Sequence, residues 1–240
     1  NLIIGSTLGT VQLGYYAIAF TWGTFGTTLL YDTIHGVLFP HFAGIQGDRQ
    51  QMKEHFLLSI KIVGFLAVLG NLTLLVGAKQ FLVGVLGGGS DRWLNALGPM
   101  QILLIYGTVR SLIETLANPL IALGHARLIL LASGVAAVAQ ILLLSWVARD
   151  AGISGVAWLV FGCYALQIFF YLPFVRKDLN VRDGELALAI WPLFGTGVLT
   201  YWVGSYFEPH FPLSVLGFLG LALVTGIVGA LVHEAITRGG

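Results

Sequence analysis

Long apolar runs alternate with short polar segments along almost the whole chain. A membrane-spanning helix needs about 20 mostly apolar residues to cross a hydrocarbon core about 30 Å thick. Runs of this kind lie at 12–40, 55–78, 98–123, 126–148, 151–174, 187–207 and 213–236. The runs are continuous and do not alternate with a period of two, so they predict helices and exclude the strands of a barrel. The pattern therefore predicts an all-α, polytopic transmembrane helix bundle.

Composition supports a membrane setting. The chain is 57% hydrophobic and 10% charged, whereas soluble domains carry about 25% charged residues. A soluble domain of this size has too much surface for its volume to hide so many apolar side chains. The net charge of +1 argues against a general nucleic-acid partner. The single cysteine, Cys163, excludes an internal disulfide. We expect the lipid bilayer as the main surrounding and no nucleic-acid partner.

The loops between the predicted helices fall alternately on two sides. One side holds seven basic residues, which are Arg49, Lys53, Arg127, Arg176, Lys177, Arg182 and Arg238. The other side holds three, which are Lys79, Arg92 and Arg149. Cytoplasmic loops are enriched in Lys and Arg. The first side, which includes the C-terminus, is therefore predicted to lie in the cytoplasm, and the chain is predicted to reside in the inner membrane.

Polar side chains form a stripe on the first long helix. Its members are Thr21, Thr24, Thr28, Tyr31, Asp32 and His35, which fall within an arc of about 100°. Threonines are common in helix–helix contacts. A charge near the bilayer centre, however, costs roughly 2.5–3.5 kcal/mol even on the lenient scale. Asp32 is therefore predicted to face protein or water, whereas His35 also fits an interfacial position at the cytoplasmic end.

A second polar stripe lies on the helix at 98–123, where Gly107, Arg110, Glu114 and Asn118 share one face. Arg110 and Glu114 are one turn apart and can form an ion pair. A buried pair contributes little net stability, whereas intramembrane ionisable groups commonly mark a transport path. Two interpretations stay open, a structural ion pair and the charged lining of a cavity.

No catalytic motif is present. The sequence contains no G-x-S-x-G, H-E-x-x-H or P-loop pattern, and its loops are too short for a soluble catalytic domain. We therefore expect no enzyme activity, no catalytic residues, no metal and no cofactor.

Five phrases, taken in order, resemble a known family. They are STLGTVQLGYYAIAF (6–20), GVLFPHFAGIQGD (36–48), VLGGGSDRWLNALGPMQILLIYGTVRSL (85–112), NPLIALGHAR (118–127) and GISGVAW (152–158). These phrases are similar to those of the polysaccharide-transport branch, which includes O-antigen flippases, of the multidrug/oligosaccharidyl-lipid/polysaccharide flippase superfamily. The resemblance covers about 1–175, and the last two helices match only by their number.

The resemblance implies an architecture of two lobes around a central cavity. Residues 1–175 would be the C-terminal lobe, beginning late in the seventh span, and 187–237 would add two helices. The N-terminal lobe would be a partner that lies outside this sequence. The family moves polyprenyl-(pyro)phosphate-linked oligosaccharides from the cytoplasmic to the outer leaflet by alternating access, for polysaccharide export.

The resemblance also suggests roles for the two polar stripes. Arg110 would contact the phosphate or an acidic sugar, and Glu114 would hold Arg110 in the empty cavity. Asp32, with His35 and Glu114, would couple transport to an ion. The side chains expected to meet sugar hydroxyls are Thr28, Tyr31 and Asn118.

Three other functions remain open at this point. A multidrug, cation-coupled exporter of the same superfamily would need a smaller and more aromatic cavity. A membrane-embedded glycan polymerase or acyltransferase would need large polar outer loops, and the outer loops here are short. A non-transporting scaffold would not predict charges in the middle of a span. The mid-span charges and the five phrases favour the flippase.

Overall fold

The computed structural model describes the backbone of residues 2–207. It describes the side chains of the same residues except 2, 29–37, 200 and 203–207. Throughout this described part the regular elements are helices, without a strand. The long elements are α1 (Leu2–Leu8), α2 (Thr10–Gly44), α3 (Arg49–Val76), α4 (Leu97–Ala122), α5 (Ala126–Ala165), α6 (Gln167–Leu179) and α7 (Asp183–Phe207). Short helical turns at Ala78–Gln80, Phe81–Leu86 and Asp91–Ala96 connect α3 to α4.

The apolar runs correspond closely to these helices. Three described stretches are long and apolar enough to cross a membrane, namely Arg49–Val76, Asp91–Ala122 and Ala126–Leu179. The prediction of an all-α, multi-pass membrane protein is confirmed. The predicted helix at 213–236 lies outside the described residues.

The long helix α5 consists of two arms that meet at Gly152. This residue has φ 60° and ψ −157°, a conformation that is essentially restricted to glycine. Ala132 of the first arm packs in one core cluster with Tyr171 of α6, whereas Ala148 and Val156, on either side of the break, share the opposite cluster. The chain therefore reverses direction at Gly152, as the separate runs at 126–148 and 151–174 predicted. We call 126–151 the first arm and 153–165, which continues into α6, the second arm.

Two hydrophobic clusters hold the two ends of the bundle. The first joins α1, the start of α2, the α3–α4 connection and the Gly152 turn, and its buried members include Ile4, Tyr16, Leu82, Met100, Leu103, Leu144, Ala148 and Val156. The second joins the α2–α3, α4–α5 and α6–α7 connections, and its buried members include Phe42, Met52, Phe56, Leu120, Tyr171, Val175, Leu179 and Val181. The described loops thus lie at two opposite ends, as their alternation along the chain requires.

Polar side-chain contacts further stabilise the end that holds the second cluster. Ion pairs join Lys53 Nζ to Glu185 Oε1 at 2.7 Å and Arg176 Nε to Asp183 Oδ1 at 2.8 Å, and His125 Nε2 lies 2.7 Å from Asp178 Oδ2. The hydrogen bond from Lys53, followed by that from the backbone N–H of Arg182, lowers the pKa of Glu185. Lys53 thus links α3 to the start of α7, His125 links the α4–α5 connection to α6, and Arg176 links α6 to α7.

Helices α2 and α4 pack unusually closely at Gly23. A Cβ on this glycine would lie 2.6 Å from Cβ of Leu103 and 3.4 Å from the carbonyl oxygen of Met100. Small residues at such crossings let helix backbones approach one another in membranes. This contact sets the rotation of α4 and therefore decides which of its side chains face α2 and which face the arms of α5.

Candidate functional site

The two mid-span charges of α4 form an ion pair. Arg110 Nε lies 2.7 Å from Glu114 Oε1, across one helical turn. The side chain of Arg110 is 25% exposed and that of Glu114 is 13% exposed. The pair is therefore formed, yet it is not sealed inside the bundle.

The second arm brings an aromatic partner to this pair. The hydroxyl of Tyr164 donates a hydrogen bond to Glu114 Oε1 at 3.1 Å. The guanidinium carbon of Arg110 lies 5.7 Å from the centre of the Tyr164 ring, within the range of a cation–π contact. Tyr106 meets that ring edge-on, with 5.5 Å between centroids. We call Tyr106, Arg110, Glu114 and Tyr164 the charged cluster.

The two tyrosines of the charged cluster, Tyr106 and Tyr164, were not identified as site residues from the sequence. Tyr106 precedes Arg110 by four residues, so its place on the same helical face was available from spacing alone. Tyr164 lies 50 residues beyond Glu114, and no local pattern links the two positions. Its part in the cluster follows only from the reversal of the chain at Gly152.

The arrangement leaves Arg110 able to bind a further anion. Its hydrogen bond to Glu114 uses Nε and a single carboxylate oxygen. A guanidinium carries five N–H donors in a rigid fork, so this bond does not exhaust its capacity. Guanidinium groups bind phosphate and carboxylate oxygens in bidentate pairs. The charged cluster thus has the chemistry of a partly exposed anion site.

Asn118 shares the sequence stripe of Arg110 and Glu114 but lies deeper. Its side chain is 1% exposed, and its Oδ1 atom has no hydrogen-bond partner among the described residues. The structure therefore places Asn118 inside the packed bundle, whereas the ion pair keeps some exposure. Its contact with a sugar stays a prediction.

The threonine stripe of α2 divides into inward and outward members. Thr24 is buried, whereas Thr21 and Thr28 are exposed, and Thr27, which lies outside the predicted stripe, is also buried. The Oγ1 atoms of Thr24 and Thr28 donate to backbone carbonyls one turn earlier, at 2.7 and 3.0 Å. Such bonds satisfy a hydroxyl within its own helix. Thr24 is therefore satisfied within its own helix and serves packing, whereas Thr27 Oγ1 has no hydrogen-bond partner among the described residues. Thr28 stays a predicted lining residue.

A polar seam lies where α2, α3 and α4 meet. Asn71 Nδ2 donates to Thr108 Oγ1 at 3.3 Å. A Cβ on Gly107 would lie 2.6 Å from Thr27 Oγ1 and 3.3 Å from Asn71 Nδ2. Asn71 and Thr108 were not identified from the sequence, because they lie 37 residues apart on different helices and no local pattern links them.

Three predicted site residues remain to be placed. The structure places Tyr31, Asp32 and His35 within helix α2, but it does not describe their side chains. Their contact and ion-coupling roles stay predictions. Within the part of the chain that the structure describes, no group of three or more His, Cys, Asp or Glu side chains could hold a metal ion.

Comparison with known proteins agrees with the motif resemblance. Residues 1–97 match the model of a family described as "Polysaccharide biosynthesis protein". The chain is 24% identical over 225 residues to an "Uncharacterized membrane protein in cps region" of Klebsiella pneumoniae. The alignment covers 94% of this chain and 42% of that protein.

Two further relatives match about half of the chain. The lipopolysaccharide biosynthesis protein WzxC of Escherichia coli (strain K12) is 28% identical over 122 residues, which is 51% of this chain and 24% of that protein. The teichuronic acid biosynthesis protein TuaB of Bacillus subtilis (strain 168) is 27% identical over 127 residues, which is 53% of this chain and 26% of that protein. The aligned part is thus 42% or less of each relative. No solved structure matches the chain. The resemblance carried by the five phrases is confirmed.

Proposed function

We propose that this chain, a relative of the polysaccharide biosynthesis family of bacterial membrane proteins, forms part of a flippase. Its substrate would be a polyprenyl-(pyro)phosphate-linked oligosaccharide, moved from the cytoplasmic to the outer leaflet for polysaccharide export. The protein would act as a transporter and not as an enzyme.

The physical task of such a flippase explains the need for an intramembrane cation. The substrate head is anionic and carries many hydroxyls, whereas its tail is apolar. Moving the head through hydrocarbon without partners would remove water from charges and hydroxyls at a high free-energy cost. A wet cavity that bears a cation lowers that cost. The partly exposed guanidinium of Arg110, with donors beyond those used by Glu114, is the observation that carries this proposal.

The remaining parts of the proposal concern the whole protein. Residues 1–175 form the C-terminal lobe, 187–237 add two helices, and a separate N-terminal lobe completes the cavity. Alternating access would come from rocking of the two lobes about that cavity. The C-terminus lies in the cytoplasm, on the side with the larger number of basic residues. Asp32 and His35 couple transport to an ion, and Thr28, Tyr31 and Asn118 meet sugar hydroxyls.

The test replaces Arg110 in the complete protein and measures glycan at the cell surface. Arg110→Ala should abolish most export at unchanged protein abundance, because the anionic head loses its cation. Arg110→Lys should retain part of the export, since lysine keeps the charge but lacks the planar fork. Arg127→Ala, at the exposed start of α5, is the matched control and should export normally. Wild-type export by Arg110→Ala at normal abundance would overturn the proposal.

A further inference from the structure

We propose that Tyr164 is a positioning residue for the anion site at Arg110. It holds the Glu114 carboxylate, and through it the Arg110 guanidinium, in the orientation that receives an anionic head group. This inference rests on the proposed function, because it assigns a second residue to the same site.

The geometry places Tyr164 against both charges at once. Tyr106, Arg110 and Glu114 follow one another at intervals of four residues on α4, so they line a single face of that helix. Tyr164 approaches this face from the second arm of α5. Its hydroxyl bonds the carboxylate of Glu114 at 3.1 Å, and its ring lies 5.7 Å from the guanidinium carbon of Arg110.

One carboxylate oxygen receives both hydrogen bonds. Glu114 Oε1 accepts from Arg110 Nε at 2.7 Å and from the Tyr164 hydroxyl at 3.1 Å. Two donors from different helices leave the carboxylate with one favoured orientation, whereas a single donor from its own helix leaves its side-chain torsions free. Arg110 Nε is bonded to this same oxygen at 2.7 Å, and Tyr106 also interacts with the guanidinium. By fixing the carboxylate, the phenol hydroxyl of Tyr164 helps to set the direction of Arg110.

Tyr106 supports the ring of Tyr164. Its own side chain is 4% exposed, and its ring meets that of Tyr164 at 90° with 5.5 Å between centroids. Edge-to-face contacts of this kind are favoured between aromatic rings. Tyr164→Phe should therefore keep the ring in place and remove only the hydroxyl.

The same stretch of chain offers a matched control in Tyr171. Its hydroxyl donates to Oε1 of Gln167, on the same helix, at 2.8 Å, and its side chain is 2% exposed. Tyr171 thus has a buried phenol that also interacts with Ser133 of the first arm and makes no hydrogen bond to either charge of the ion pair. Tyr171→Phe removes a buried hydroxyl whose hydrogen bonds lie outside the anion site.

The experiment measures binding of a prenyl pyrophosphate to the complete protein in lipid nanodiscs. Geranylgeranyl pyrophosphate is the probe, and geranylgeraniol, which has the same tail without the anion, is the reference. Tyr164→Phe should weaken binding of the pyrophosphate roughly tenfold, the size expected for one hydrogen bond to a charged group. It should leave binding of the alcohol unchanged. Tyr171→Phe should bind both compounds as the wild type does.

A double variant separates positioning from packing. If Tyr164 acts through Arg110, then Arg110→Ala/Tyr164→Phe should bind the pyrophosphate no more weakly than Arg110→Ala alone. A further loss in the double variant, or wild-type binding by Tyr164→Phe while Arg110→Ala binds weakly, would overturn the inference and leave the proposed function standing. Wild-type binding by Arg110→Ala would instead remove the proposed function itself.

Discussion

At the scale of single residues, the ion pair of α4 bears on two interpretations that the sequence left open. Arg110 and Glu114 are paired at 2.7 Å, and both keep partial exposure. A pair of this kind adds little net stability, since the cost of removing two charges from water offsets their attraction. A hydrophobic pair would serve packing at least as well. This balance supports the proposal that the two charges serve transport, which stays a prediction.

Removing one charge of the pair and removing both should affect stability differently, although neither variant should support export. Glu114→Ala leaves the Arg110 cation without its partner, and we expect a loss of about 1–3 kcal/mol, because partial exposure reduces the penalty of a fully buried unpaired charge. Arg110→Met/Glu114→Leu removes both charges and should recover most of that stability without recovering glycan export. Thermal unfolding of the purified protein measures the first effect. Equal stability of the single and double variants would contradict the prediction.

At the scale of elements, the break at Gly152 decides how often the chain crosses the membrane. The apolar stretch Ala126–Leu179 has 54 residues. As a single straight helix it would be roughly 80 Å long, far more than the hydrocarbon thickness of about 30 Å. The reversal at Gly152 converts it into two crossings and brings Tyr164 back to α4. The conformation of Gly152 thereby determines both the number of membrane crossings and the position of Tyr164 in the charged cluster.

Gly152→Ala should therefore be costly. Its φ of 60° and ψ of −157° are strained for any residue with a Cβ, and the expected loss is about 1–3 kcal/mol. Gly134→Ala is the control, because Gly134 is helical and a Cβ there would meet nothing within 4 Å. That change should raise stability slightly through helix propensity. The unfolding temperatures of the two variants measure the difference. A Gly152→Ala protein as stable as Gly134→Ala would refute the predicted loss of stability.

At the scale of the whole molecule, the two hydrophobic clusters place the connecting loops at opposite ends of the bundle. The α2–α3, α4–α5 and α6–α7 connections share one end, and this end carries most of the basic loop residues of the described chain. A charge bias of this kind sets orientation during insertion. The basic residues near the loops, and not the hydrophobic clusters, are therefore expected to set the orientation of the chain in the membrane.

Labelling of single cysteines tests this orientation. Cys163 is the single cysteine of this sequence and is buried, so Cys163→Ser, with any cysteine in the rest of the protein also replaced, gives the background. In that background Arg127→Cys and Arg149→Cys place exposed thiols at opposite ends of the first arm. A membrane-impermeant maleimide should label Arg149→Cys in right-side-out vesicles and Arg127→Cys only in inside-out vesicles. The reverse result would show the opposite orientation, and labelling of both from one side would contradict a first arm that crosses the membrane.

The sequence by itself determined the helices, the membrane setting and the family resemblance. Each apolar run had to become a helix, because a segment in lipid must satisfy its own backbone hydrogen bonds. This requirement is local and can be recognised in about 20 residues. The pairing of Arg110 with Glu114 was also accessible, since residues four apart in a helix are neighbours.

Only the tertiary structure decided which polar groups meet between helices. It turned Thr27 inward and Thr28 outward, buried Asn118, and set Tyr164 against Glu114. These contacts depend on the rotation of each helix about its axis, which close packing such as that of Gly23 on Leu103 sets. That rotation is a property of several distant segments together, so no local pattern contains it.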